Sequence, residues 1–118
     1  MRRRLLIVLV VAAMSLGAAQ TAFAAATSHI SIFFNQSTSV FHGRVTSPNS
    51  ECHAGRTVKL FKKTASGRVL QGKTLTGSRG RWHIDVMHPH GHYFAVTPRQ
   101  KIMNTTCGRA VSRTIDVM

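Results

Sequence analysis

A two-residue rhythm of apolar and polar side chains, set in short runs between turn residues, constrains this chain more than any other feature. It is clearest at 81–86, where Trp82, Ile84 and Val86 alternate with Arg81, His83 and Asp85. A period of two puts alternate side chains on opposite faces of a strand; a helix needs apolar residues every three or four positions. Beyond residue 24 no long segment has the helical spacing. The rhythm returns at 30–35 (Ile30, Ile32, Phe34), at 40–47 (Phe41 and Val45 against His42 and Arg44) and at 56–63 (Val58 and Leu60 against Lys59). Weaker runs cover 68–76, 92–97 and 110–117, and clusters rich in Gly, Pro, Ser and Asn separate them. These runs predict an all-β fold of about seven strands, an immunoglobulin-like sandwich of two facing sheets. Trp82 is the expected core anchor. Gly43, between inward Phe41 and Val45, marks a bulge or the close approach of another backbone. Arg113 shares a face with Val111, Ile115 and Val117, as an edge strand would allow, and 98–108 reads as a loop.

The N-terminus predicts a compartment. Arg2, Arg3 and Arg4 precede an apolar run from Leu5 to Ala19, and Ala22-Phe23-Ala24 supplies a small-residue cleavage site. That order is a helical secretory signal peptide, and the run is short for a membrane span, which needs about 20 residues. The division is therefore 1–24 signal peptide and 25–118 one secreted β-sandwich domain. A domain this small gains much from a covalent staple. Its two cysteines, Cys52 and Cys107, can pair in an oxidising compartment, which would stabilise the fold by roughly 4 kcal/mol on loop entropy.

Charge narrows the partners. Losing the three signal arginines leaves thirteen Lys and Arg against Glu51, Asp85 and Asp116, a net +10 with histidine neutral. Such a surface attracts polyanions over a Debye length of about 8–10 Å. The expected role is salt-dependent attachment of a monomer to anionic cell-envelope or extracellular polymers. Lys59, Lys62, Lys63, Arg68, Lys73, Arg79 and Arg81 would carry it. Sequence-specific nucleic-acid binding is not expected, because it wants aromatics interleaved with the basic groove. Phe33, Phe61 and Phe94 do lie opposite the inward faces, and Phe61 sits among Lys59, Lys62 and Lys63.

Several short motifs have a familiar order. Phe41-x-Gly43-x-Val45-x-Ser47, then Cys52, then Arg56-x-Val58-x-Leu60, resembles the opening of small bacterial, actinobacterial-type secreted sandwiches of the carboxypeptidase-regulatory-like or transthyretin-like kind. Thr76-Gly77-x-x-Gly80-x-Trp82 and Gly91-x-Tyr93-x-Ala95 are similar to their later strands, as are Cys107 and Ser112 to their last ones. The resemblance spans about residues 39 to 117. It implies the sandwich and the disulfide, and an accessory or adhesion role without catalysis.

The residues themselves point the same way on catalysis. Three carboxylates are few, and His83, Asp85 and Ser112 make a triad only with a shaped oxyanion hole that nothing marks. The rival reading is a metal site for zinc, copper or nickel at His88, His90 and His92. In an extended chain these face one side, but Pro89 and Gly91 predict a turn that splays them. A second copper idea needs cleavage after Ala26, which would leave Thr27-Ser28-His29 at the new terminus.

Overall fold

The structure, a computed structural model, describes residues 24–118. The expected signal peptide, apart from Ala24, lies outside the described residues. Eleven strands are present among the described residues: β1 (His29–Ile30), β2 (Phe33–Asn35), β3 (Val40–Thr46), β4 (Thr57–Thr64), β5 (Gly67–Leu75), β6 (Arg81–Asp85), β7 (Gly91–Thr97), β8 (Gln100–Ile102), β9 (Thr105–Cys107), β10 (Ala110–Val111) and β11 (Ile115–Val117). A single 3-10 turn, Ser50–Cys52, interrupts the β3–β4 connection. No helix among the described residues is long and apolar enough to cross a membrane.

The fold is an all-β sandwich. β1 and β2 pair with β3 in one continuous register, from His29 opposite Thr46 to Asn35 opposite Val40, so they form a single interrupted row. β6 pairs with the other side of β3. The facing sheet runs β10 and β11, then β7, β4 and β5, all antiparallel. The expected seven strands are thus seven rows, three facing four. The fourth row, β5, lies beside the third, whereas a constant-type immunoglobulin domain puts its fourth strand in the other sheet. Ile30, Ile32, Phe41, Val45, Trp82 and Ile84 from one sheet meet Val58, Leu60, Tyr93, Ala95, Ala110 and Val117 from the other in one buried core. Phe41 and Tyr93 touch across it with ring centroids 4.6 Å apart.

Two serines patch the interrupted rows. The Ser31 hydroxyl accepts the Arg44 N–H at 3.0 Å, a place a backbone carbonyl would normally fill. The freed Ser31 carbonyl turns toward Gly43: a Cβ built on Gly43 would lie 2.0 Å from that oxygen and 2.9 Å from Trp82 Nε1. The glycine therefore marks the close approach its position predicts. In the last row Ser112 Oγ accepts the Ala95 N–H at 2.8 Å. There the register slips, because four steps from Val111 to Ile115 oppose three from Val96 to Tyr93. The slip corrects the expected alternation: Val111 faces out at 47% exposure, while Val117 is buried.

The segment 98–108 is not a plain loop. β8 and β9 form a small hairpin that carries Cys107 to Cys52, closing a disulfide with its Cα atoms 5.6 Å apart. Ala26 bridges to Cys107, donating to Thr106 O at 2.8 Å and accepting from Gly108 N–H at 2.7 Å. Under this pole lies Arg56, fully buried. Its Nε donates to Gln100 Oε1 (3.3 Å), Nη1 to Ser28 Oγ and Cys52 O (both 3.0 Å), and Nη2 to Pro98 O (3.4 Å) and Gly108 O (2.8 Å). All five guanidinium N–H groups are used, and no carboxylate is among the acceptors. Burial pushes the Arg56 guanidinium below its usual range.

Two substitutions test this packing. Arg56→Met keeps the stem but takes the guanidinium donors from three carbonyls and the Ser28 hydroxyl, while Gln100 Oε1 keeps only the Thr57 N–H. It should lower unfolding stability by about 3–5 kcal/mol in chemical denaturation. Gly43→Ala forces a methyl against backbone and should cost about 3 kcal/mol, the upper end for overpacking, read as a lower thermal midpoint.

Candidate functional site

The cations expected to bind polyanions divide between two places. β4 shows one face to solvent through Thr57, Lys59, Phe61 and Lys63, because Val58 and Leu60 point into the core. Across the β4–β5 ladder, Lys59 stands opposite Lys73 and Lys63 opposite Arg68. An irregularity between Leu60 and Phe61 leaves Gln71 as an extra residue on β5, so Lys73 and Arg68 keep to the same face on either side of it. Four of the seven cations therefore gather on the outer face of the four-row sheet. Lys62 does not: it pairs with Tyr93 and points toward the inner rim, where its side chain runs past Gly91. Arg79 lies in the turn before β6, and Arg81 on the outer face of the other sheet, opposite Arg44.

Beneath the four cations runs an aromatic strip. Phe61 and Phe94 stack with centroids 5.6 Å apart. The Arg68 guanidinium lies 4.2 Å from the Phe61 ring centre, and Lys63 Nζ lies 5.6 Å from that of Phe94. Phe94 and Val96 are only 8% and 4% exposed although they face outward, because the stems of long cationic side chains and neighbouring apolar groups cover them. Phe61 and Phe94 are thus brought together as a platform, and Phe33 lies apart on the other sheet, stacked on His42 at 5.7 Å. Along β4 and β5 no carboxylate faces the cations. The nearest acid on this face, Asp116 opposite His92, is turned to that imidazole, Oδ1 to Nδ1 3.7 Å.

Like charges directly opposite on an antiparallel ladder repel, and here two such pairs stand four residues apart along β4. The backbone hydrogen bond from Thr76 N–H to Arg56 O (2.9 Å) sets the alternation that makes Lys59 and Lys73 a non-hydrogen-bonded pair, whose side chains lie closest. The face is electrostatically incomplete. The Lys63–Arg68 pair follows directly from the turn at Ala65–Ser66, but the Lys59–Lys73 pair lies beyond the extra residue at Gln71, which the sequence alone does not reveal.

The histidine tract does not assemble. His88 adopts a left-handed φ of 48° and Gly91 a φ of 113°, which turns the chain between them. The backbone N–H of His90 donates to the Tyr93 hydroxyl, which donates back to His90 O, at 3.1 and 3.2 Å. His92 faces Asp116. Among the described residues no three His, Cys, Asp or Glu side chains converge to hold a metal ion. The alternative terminal copper motif fares similarly: Ser28 is buried on Arg56, and His29 pairs with Thr46 in β1. His83 and Asp85 share an outer face, but Ser112 is buried and spends its hydroxyl on Ala95 and on Arg113 O.

Lys73→Glu replaces a repelling pair with an attracting one. It should stabilise the fold by about 0.5 kcal/mol at low ionic strength, an increase in thermal midpoint that fades as salt is added. Compared with known proteins, the chain matches no family model, no curated protein and no solved structure.

Proposed function

We propose that this chain is exported by its N-terminal signal and acts as a monomeric, non-enzymatic module that attaches to anionic envelope or extracellular polymers. The observation that carries the reading is the pair of like-charge contacts, Lys59 with Lys73 and Lys63 with Arg68, on one exposed sheet face without facing carboxylates. A linear polyanion laid over them converts two repulsions into four attractions. The strand rise of about 3.3 Å puts the two pairs about 13 Å apart, the reach of a few repeats of a charged polymer. Phe61 and Phe94 lie under the Arg68 and Lys63 charges and offer no hydrogen bonds for base or sugar readout, so charge dominates over sequence or linkage.

Export accords with the disulfide between Cys52 and Cys107, since such bonds persist in oxidising compartments. The accessory or adhesion role implied by the resemblance to carboxypeptidase-regulatory-like sandwiches accords with it as well. The histidine-based metal reading has no structural observation in its favour.

Binding to an anionic wall polymer or a heparin-type resin tests the proposal. Retention should fall steeply between about 50 and 500 mM salt, where screening acts. The variant carrying K59Q, K63Q, R68Q and K73Q should bind about tenfold or more weakly at the lower salt, while K62Q, off the face, should change little. Retention indifferent to salt, or equal loss from both variants, would sink the assignment.

A further inference from the structure

The outer face of the three-row sheet carries cross-strand neighbours that the face described above does not use. The β3–β6 register sets Arg44 opposite Arg81 and His42 opposite His83. Two flanking hydrogen bonds, Val45 N–H to Gly80 O at 2.8 Å and Val86 N–H to Ser39 O at 3.3 Å, fix the ladder's alternation. Odd residues of β3 form its hydrogen-bonded pairs with β6, and the even ones form the closer pairs, about 4.5 Å between Cα atoms. Both like pairs occupy those closer positions. Phe33 stacks on His42, and the Arg113 guanidinium lies 5.5 Å from the Phe33 ring centre. Asp85, opposite Val40 and two residues along from His83, is the carboxylate in this row. An open cleft of about 320 Å³ between β5 and β6 joins the two faces, lined by Gln71, Lys73, Thr74, His83 and Asp85.

We infer that the anion-binding surface continues from Lys73 through this cleft onto the His42–His83 row, and that these two imidazoles make polyanion binding proton-linked. The inference rests on the polyanion reading above and adds its regulation. Imidazole is the side chain that changes charge between pH 5 and 8. Two imidazolium charges opposite one another, beside Arg44 and Arg81, repel; Asp85 is the carboxylate of their ladder, and Asp116 lies beyond Phe33 in a cleft that Arg113 also lines. A polyanion lying over the row relieves that repulsion, so binding favours proton uptake. By linkage, protons then tighten binding to the same degree. Acidification of the surroundings becomes a signal for firmer attachment.

The test uses purified protein and long-chain inorganic polyphosphate, whose internal phosphates keep their charge across the range. At about 100 mM salt, the wild type should bind roughly fivefold or more tightly at pH 5.5 than at pH 7.5. The variant H42Q/H83Q should lose the acid gain. The variant H88Q/H90Q/H92Q should keep it. Thermal unfolding shows whether H42Q/H83Q is folded; if it is not, H83Q alone, altering an exposed side chain, should still lose part of the gain. Salt-dependent binding of equal strength at both pH values overturns the inference and leaves the polyanion reading standing. So does an acid gain that survives in H42Q/H83Q, or in H83Q at full size. Absence of salt-dependent binding at either pH overturns the reading itself.

Discussion

Arg56 holds one end of the sandwich together, and much of the architecture depends on how its charge is accommodated. A buried cation normally demands a carboxylate. Here carbonyl and hydroxyl dipoles take that place, drawn from the segment before β1, the 3-10 turn, β8 and the residues flanking the β8–β9 hairpin. Because these pieces are far apart in sequence, one side chain ties the start, middle and end of the domain to β4. Cys52 contributes twice, once through its carbonyl to the guanidinium and once through its sulfur to Cys107. The covalent tie restricts the unfolded chain, while the hydrogen-bonded one organises the folded pole. Neither substitutes for the other.

The surface cations stand in the opposite condition. Arg56 has every donor satisfied, whereas Lys59, Lys63, Arg68 and Lys73 face one another with nothing negative between them. A domain selected for stability alone would have placed glutamates at some of these positions. Keeping the repulsion costs stability and leaves an unfilled electrostatic demand on the surface, a trade common where binding is the purpose. The aromatic strip of Phe61 and Phe94 makes the arrangement tolerable by giving the cation stems apolar surface to lie on.

Much of the fold was legible in the residues, because burial in a sandwich imposes a period of two that Trp82, Ile84, Phe41, Val45, Val58 and Leu60 all obey. Gly43 was legible too, since a missing side chain in an inward position has few explanations. Three features escaped. β8 and β9 are only three residues each, too short for a rhythm to register. Arg56 violates the expectation that arginine stays wet, and its acceptors are mostly backbone carbonyls, which carry no sequence signature. The slip after Val111 depends on a serine hydroxyl standing in for a backbone group, which alternation alone does not foresee. For the candidate site, the basic and imidazole side chains were visible but not their grouping. Lys62 adjoins Lys63 in the chain yet faces the other way, and His88, His90 and His92 are scattered by positive φ angles at the turn.

The serine patches also bear on how the molecule behaves in a crowd. A continuous, unpaired strand margin is a template on which another chain can grow, and thence a route to fibrils. On one flank of this sandwich both margins are broken, at Ser31–Ile32 and at Ser112–Thr114, so an incoming strand meets only two or three regular positions before the pattern fails. On the other flank β5 is longer, but its extra residue and its cationic side chains discourage a copy of the same charge. Attachment to a polymer scaffold, as proposed, would pack such a domain against its own kind at high density, where blunted margins of this sort oppose strand-by-strand growth.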